Sequence, residues 1–131
     1  MEKTILLPSK IESLRTVEKF IDEISSEYKL TSEKYGNILI ATLEAANNAI
    51  VHGNKLKEDV EVKISAFTKG NILNINIEDK GKGFDYKNIP DPTSPENIEN
   101  ISGRGVFLMQ KLSDKLEFKN NGSKIELFFN I

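Results

Sequence analysis

Three short segments of this 131-residue chain combine residue types that could bind or transform a ligand. In the first, Glu44 and Asn48 are four residues apart in an apolar stretch, so in a helix they lie one turn apart on the same face. A carboxylate beside a carboxamide is costly to bury unless both are paired. The pair therefore indicates either a ligand or metal site facing a pocket, or a solvent-exposed polar stripe.

The second segment is the pattern D-x-G-x-G, formed by Asp79, Gly81 and Gly83 directly after a predicted strand. Glycines two residues apart allow the backbone to approach a ligand closely. A bare G-x-G pair arises easily by chance in a chain with eight glycines, but an aspartate two residues before it makes the pattern much rarer. The alternative is a tight turn in which Asp79 caps its own loop.

The third segment is a G-x-G at Gly103 and Gly105, where a predicted helix begins. A helix start offers unsatisfied N–H groups and the positive end of the helix dipole, which suit a phosphate. Arg104 adds a charge-assisted donor at the same place. The alternative is a flexible helix start with an exposed arginine.

Taken together, the three segments and the proline-rich stretch between the glycine pairs predict a nucleotide-binding pocket with a lid.

Hydrophobic periodicity and turn residues predict the elements that position these segments. The first predicted elements are an edge strand over 4–7 and a helix that starts with a Ser9–Glu12 capping box and runs to about 28. A second helix follows over 32–52, which Thr31 caps and Gly53 ends. The remaining elements are a hairpin over 60–77 that turns at Gly70–Asn71, a helix over 103–112, and a hairpin over 116–129 that turns at Asn121–Gly122. Hairpins adjoining helices predict an α+β two-layer sandwich with a largely antiparallel sheet. The length predicts one domain over 1–131.

Composition excludes several function classes. Eighteen basic residues against twenty acidic ones give a net charge of −2, which argues against direct nucleic-acid binding. The lack of cysteine excludes a thiolate nucleophile and any Cys-ligated metal, and a lone histidine, His52, excludes a His-rich zinc site. No run approaches the ~20 apolar residues of a membrane span, and no signal peptide is recognisable, so we expect a cytoplasmic protein.

The three segments resemble the motifs of the GHKL ATPase superfamily, which includes sensor histidine kinases. Its N-box, E-x-x-x-N, is matched by Glu44 and Asn48, and its first glycine box is matched by the D-x-G-x-G segment. Its second glycine box is matched by Gly103 and Gly105. The compact length and the run GRGVFLMQKLSD are most similar to the small bacterial anti-sigma-factor serine/threonine protein kinases.

The resemblance implies a Bergerat-type ATP-binding fold, a mostly antiparallel mixed sheet with helices on one face, and an ATP lid at about 86–102. It also implies a role for each matching residue. Asp79 would accept a hydrogen bond from the adenine amino group, above a turn shaped by Gly81 and Gly83. Asn48 would coordinate Mg²⁺, and Glu44 would act as the general base or orient the attacking hydroxyl. The phosphates would be bound at Gly103, Arg104, Gly105 and Val106.

The implied function is that of an ATP- and Mg²⁺-dependent serine/threonine kinase that sequesters a sigma factor and phosphorylates an anti-anti-sigma antagonist. A homodimer without membrane contact is also implied. Two alternatives stay open. One is a module that binds ATP and a partner without turnover, although Glu44 would then be unnecessary. The other is a fragment of a sensor histidine kinase, which would need His52 to accept the phosphoryl group.

Overall fold

The structure is a computed structural model that describes residues 1–83 and 101–131. The strands are β1 (Glu2–Pro8), β2 (Glu61–Lys69), β3 (Ile72–Glu78), β4 (Lys115–Lys119) and β5 (Lys124–Asn130). The helices are α1 (Leu14–Tyr28), which follows a 3₁₀ turn at Ile11–Ser13, α2 (Ser32–Asn47), which continues as a π-helix over Asn48–Gly53, and α3 (Ile101–Leu112). This succession confirms the predicted order of elements within the described residues.

The five strands form a single sheet in the order β1-β2-β3-β5-β4. All four pairings are antiparallel, so the α+β class is confirmed, while no parallel pair is found among these five strands. β1 lies at an edge, as predicted. One continuous apolar row crosses all five strands, since the register aligns Ile5, Ile64, Ile77, Ile125 and Phe118.

One face of the sheet is covered by the helices. Along β2, Val62, Ile64 and Ala66 are completely buried, whereas Glu61 and Lys63, on either side of Val62, are exposed. This alternation follows from the two-residue period of a strand, which sends every second side chain to the same face. The expectation of helices on one face is therefore confirmed.

The predicted capping box at the start of the first helix is wrong. Ser9 is fully buried, and its hydroxyl donates to the carbonyl of Val60 at 2.5 Å while accepting from Nδ2 of Asn54 at 2.9 Å. It is therefore engaged by distant segments and not by the helix. The chain passes through the 3₁₀ turn instead, where the hydroxyl of Ser13 donates to the carbonyl of Pro8 at 2.7 Å.

The start of α2 follows the prediction, because the Thr31 side chain accepts from the amide of Lys34 at 3.2 Å. The end does not. After Asn47 the helix widens into π geometry, and the amide of Asn54 bonds the carbonyl of Ala49 at 2.8 Å. Such wide turns are rare and are often found at functional sites.

The third helix begins at Ile101, two residues before the predicted start. The predicted lid over 86–102 lies almost wholly outside the described residues, and its last two positions belong to α3. Over residues 1–83 and 101–131, no helix is long and apolar enough to cross a bilayer.

Candidate nucleotide-binding site

A cavity of about 160 Å³ lies between the π-helix and the ends of β3 and β5. It brings together residues that are far apart in the chain. Its lining residues are Asn48, Ala49, His52, Gly53, Asp79, Gly83, Gly122 and Ile125. Three of these, Asn48, Asp79 and Gly83, are predicted site residues. The size suits one flat ring system, since pockets for whole drug-sized ligands are typically ~300 Å³ or more.

Asp79 is the acidic residue of this pocket, and backbone groups of other residues bond both its main chain and its side chain. Its own amide donates to the carbonyl of Ser123 at 2.9 Å, which continues the sheet beyond β3. Its Oδ1 atom accepts from the amide of Gly81 at 2.7 Å. Partial burial raises the pKa of the Asp79 carboxyl, and the hydrogen bond from Gly81 opposes that rise.

Gly53 allows the π-helix to lie directly against this carboxylate. A Cβ atom added to Gly53 would overlap the carboxyl group of Asp79, at only 2.7 Å from Oδ1. A Cβ atom on Gly81 would in turn overlap the carbonyl group of Gly53. Gly53 has no positive φ, so it does not end the helix in the left-handed conformation that glycine commonly adopts there. Glycine is needed at position 53 because any side chain would prevent the π-helix from lying this close to the Asp79 carboxylate.

The opposite wall of the pocket comes from the β4–β5 connection. Gly83 has a φ of +86°, and a Cβ atom there would overlap the carbonyl of Asn121. Five of the residues that line the pocket are not among the predicted site residues, namely Ala49, His52, Gly53, Gly122 and Ile125. The Asn-Gly signal identified only a hairpin turn, and the position of that turn beside the first glycine box depends on the order of strands in the sheet.

The carboxylate–amide pair of the N-box meets the second glycine box where α3 crosses α2. A Cβ atom on Gly105 would lie 3.0 Å from Oε2 of Glu44 and 3.6 Å from Oδ1 of Asn48. Asn48 is only 7% exposed, and Glu44 is half-buried. The interpretation of this pair as an exposed polar stripe is therefore wrong for Asn48. The pair faces another element and, through Asn48, the pocket.

The predicted phosphate-binding residues divide into two groups. Gly103 and Arg104 lie in the first turn of α3, where amides have no acceptor within the helix, and the Arg104 side chain is exposed. Gly105 and Val106 lie beyond that turn, and the side chain of Val106 is buried in the core. A phosphate contact from the amides of the first group is therefore the simpler expectation. His52 is exposed at the rim of the pocket.

The donor set fits Mg²⁺ that arrives with a nucleotide. Within the described ranges, no group of three or more histidine, aspartate or glutamate side chains could hold a metal by itself. The amide oxygen of Asn48 is a hard ligand close to the Glu44 carboxylate. Mg²⁺ usually takes one or two protein oxygens and completes its octahedron with phosphate oxygens and water.

The sequence profile of the histidine kinase-like ATPase domain matches residues 7–129. This chain belongs to that family. Membership confirms the resemblance predicted from the N-box and the two glycine boxes.

Two known proteins are similar to this chain, one in sequence and one in fold. The serine-protein kinase RsbW of Bacillus pumilus (strain SAFR-032) is 29% identical over an alignment of 123 residues, and the match covers 88% of this chain and 76% of that protein. The crystal structure of the RsbU and RsbW domains of Rv1364c from Mycobacterium tuberculosis superimposes on 99% of this chain with a TM-score of 0.69. At 17% identity that likeness concerns the fold, and this chain spans only 32% of that longer one.

Proposed function

We propose that this protein binds ATP with Mg²⁺ and transfers the γ-phosphoryl group to a serine or threonine of an antagonist protein. The same chain would sequester a sigma factor until that antagonist competes for it. Membership of the histidine kinase-like ATPase family and the similarity to RsbW support this assignment.

One observation carries the proposal, namely that the N-box and the first glycine box both contribute to one pocket and that the second glycine box lies against the N-box. Asp79 lies at one end of it, and Asn48 lines the same cavity. Gly105 brings α3 against both Asn48 and Glu44. A base recognised at the Asp79 end would therefore direct its phosphates towards the Glu44 end.

At the base end, the Asp79 carboxylate is an acceptor suited to an exocyclic amino group. Gly81 engages Oδ1, and the neighbouring oxygen would accept from the 6-amino group of adenine. Guanine carries a carbonyl oxygen at that ring position and would repel the carboxylate. The proposed nucleotide is therefore ATP and not GTP.

At the other end, the half-buried Glu44 carboxylate is placed to accept a proton. The hydroxyl oxygen of the antagonist attacks the γ-phosphorus, the bond to the β–γ bridging oxygen breaks, and the hydroxyl proton passes to Glu44. The amide oxygen of Asn48 would hold Mg²⁺, and the bound ion would offset phosphate charge. Phosphoryl transfer depends mainly on such positioning and charge stabilisation.

The test is incubation of the purified chain with γ-labelled ATP and its antagonist protein, beside the Glu44→Gln variant. We expect phosphoserine or phosphothreonine on the antagonist with the wild-type chain. A positioned base typically contributes ~10²–10⁴ in rate, so the variant should lose most transfer while keeping its ATP affinity. Label on His52 would indicate a histidine kinase. ATP binding without any transfer would indicate the binding module.

The homodimer and the cytoplasmic location stay predictions. The first is checked by light scattering of the chain with and without ATP, where a dimer would give twice the chain mass of 14.8 kDa.

A further inference from the structure

A buried asparagine next to the pocket connects the first glycine box with two segments that lie outside the motifs. Asn54 follows the π-helix and is 4% exposed. Its Nδ2 atom donates to the hydroxyl of Ser9 at 2.9 Å and to the carbonyl of Glu61 at 3.2 Å. Its Oδ1 atom accepts from the amide of Lys80 at 2.7 Å. Both hydrogens of the carboxamide and its oxygen are thereby used.

The orientation of this carboxamide is determined by its partners. The amide of Lys80 can only donate, and the carbonyl of Glu61 can only accept. A flipped Asn54 side chain would face donor with donor and acceptor with acceptor. An apolar replacement would leave a buried N–H and a buried C=O without partners, which is costly.

Asn54 acts on the residue that follows the base-binding carboxylate. The peptide group before Asp79 is held by the bond from its amide to Ser123, and the peptide group after it is held by the bond from Lys80 to Asn54. Gly81 then orients the carboxylate itself. Of these three contacts on the Asp79 loop, the one from Asn54 is made by a side chain, so mutation can remove it without altering the loop sequence.

We propose that Asn54 is a positioning residue that sets the nucleobase selectivity of Asp79, an inference that rests on the proposed function. By holding the Lys80 amide, Asn54 fixes the direction in which the Asp79 carboxylate leaves the backbone. The carboxylate then meets a 6-amino group in one orientation. Asn54 itself does not line the base pocket.

The experiment compares two nucleotides that differ only at that ring position. Calorimetry with Mg²⁺ measures the dissociation constants of ATP and of purine riboside triphosphate, which has hydrogen in place of the 6-amino group. Hydrogen bonds to charged groups contribute enough that the wild-type chain should prefer ATP by about tenfold or more. In Asn54→Ala this preference should fall to about threefold or less, with the affinity for the 6-H nucleotide nearly unchanged.

Two further variants separate positioning from stability. Asn54→Asp keeps an oxygen acceptor for Lys80 but loses the donors to Ser9 and Glu61. It should melt earlier than the wild type and still keep most of the ATP preference. Asn37→Ala is the matched control, because it removes a carboxamide from α2 away from the pocket and should change neither quantity.

Several outcomes overturn the inference. It is wrong if Asn54→Ala weakens both nucleotides equally, or if Asn54→Asp loses the preference as completely as Asn54→Ala does. A wild-type chain that binds both nucleotides equally well also refutes it, because Asp79 would then not read the base. A wild-type chain that binds neither nucleotide contradicts the proposed function itself.

If Asn54→Ala does not fold, hydrogen exchange of the wild-type chain tests whether Asn54 holds the Asp79 loop. The Lys80 amide should be protected before any nucleotide is added, since its acceptor is a buried side chain of the free protein. Rapid exchange of that amide in the free protein would show that Asn54 does not hold the loop in advance, and the inference would fail.

Discussion

The two ends of the candidate pocket are built in different ways. At the proposed base end, hydrogen bonds hold the Asp79 backbone on both sides and a further one orients its carboxylate. At the proposed catalytic end, Glu44 projects from α2 and Asn48 from the start of the π-helix, and the described contact that brings α3 to them is the van der Waals approach of Gly105. The first end is thus defined by hydrogen-bond direction and the second by how closely two helices pack.

This difference predicts different consequences of mutation. Hydrogen bonds have preferred angles, so the base end should discriminate sharply between ligands and tolerate little change. Contact between helices depends on side-chain volume, so the catalytic end should respond gradually to added atoms. Changes at the base end should therefore alter affinity, and changes at the catalytic end should alter rate.

The largest effect on ATP affinity is expected from Asp79→Asn. With Oδ1 still accepting from Gly81, the new amide would direct its own donors at the donor group of adenine. A hydrogen bond to a charged group contributes about 1.5–3 kcal/mol, so calorimetry should show ATP affinity reduced by at least ~10-fold and up to ~100-fold. Unchanged affinity would remove Asp79 from the base site.

The same variant has a pH-dependent effect on stability. Burial raises the pKa of Asp79 in the folded chain above its unfolded value, so its contribution to stability is present at low pH and is lost as pH rises through the folded pKa. The neutral asparagine avoids this loss. We expect thermal melts at neutral pH to show Asp79→Asn at least as stable as the wild type, with the difference shrinking on acidification.

Gly53→Ala should also act on the base end, with a smaller effect. The added methyl group would overlap the Asp79 carboxyl, and the flexible carboxylate would turn away more readily than the backbone would move. We expect ATP affinity to fall by roughly tenfold, the size of one lost polar contact. An alanine variant that binds ATP normally would show that the carboxylate orientation is unimportant.

Gly105→Ala tests the catalytic end. Its methyl group would lie 3.0 Å from Oε2 of Glu44, so the carboxylate must shift by a few tenths of an ångström. Because catalysis is sensitive to small displacements, we expect the rate of phosphoryl transfer to fall by roughly three- to tenfold while ATP affinity changes little. Reduced affinity at an unchanged rate would contradict the assigned roles of the two ends.

The smallest effect is expected from Gly36→Ala, which is the control for both glycine variants. Gly36 lies inside α2, and a Cβ atom there would meet nothing within 4 Å. Alanine should stabilise the helix by about 0.5–1 kcal/mol in a urea titration, without changing affinity or rate. Destabilisation would mean that this part of α2 is not an ordinary exposed helix.

Much of the fold could be predicted because local patterns decide it. The alternation of Val62, Ile64 and Ala66 identifies a strand with one buried face, and Thr31 caps α2 through a bond to a neighbouring residue. Such signals act over a few residues. Ser9 shows the limit of this reasoning, since its hydroxyl bonds Val60 and Asn54 from distant segments and not the nearby helix end.

The sequence by itself determined the chemistry of the pocket, because the residue types and spacings of Glu44, Asn48 and the D-x-G-x-G segment are properties of the chain alone. Only the tertiary structure decided which atoms face that pocket. The contact between Gly53 and Asp79 depends on how the π-helix lies against the end of the sheet, and the hydrogen bond from Lys80 to Asn54 spans 26 residues. Contacts between segments far apart in sequence are set by packing of the whole core, so no local pattern encodes them.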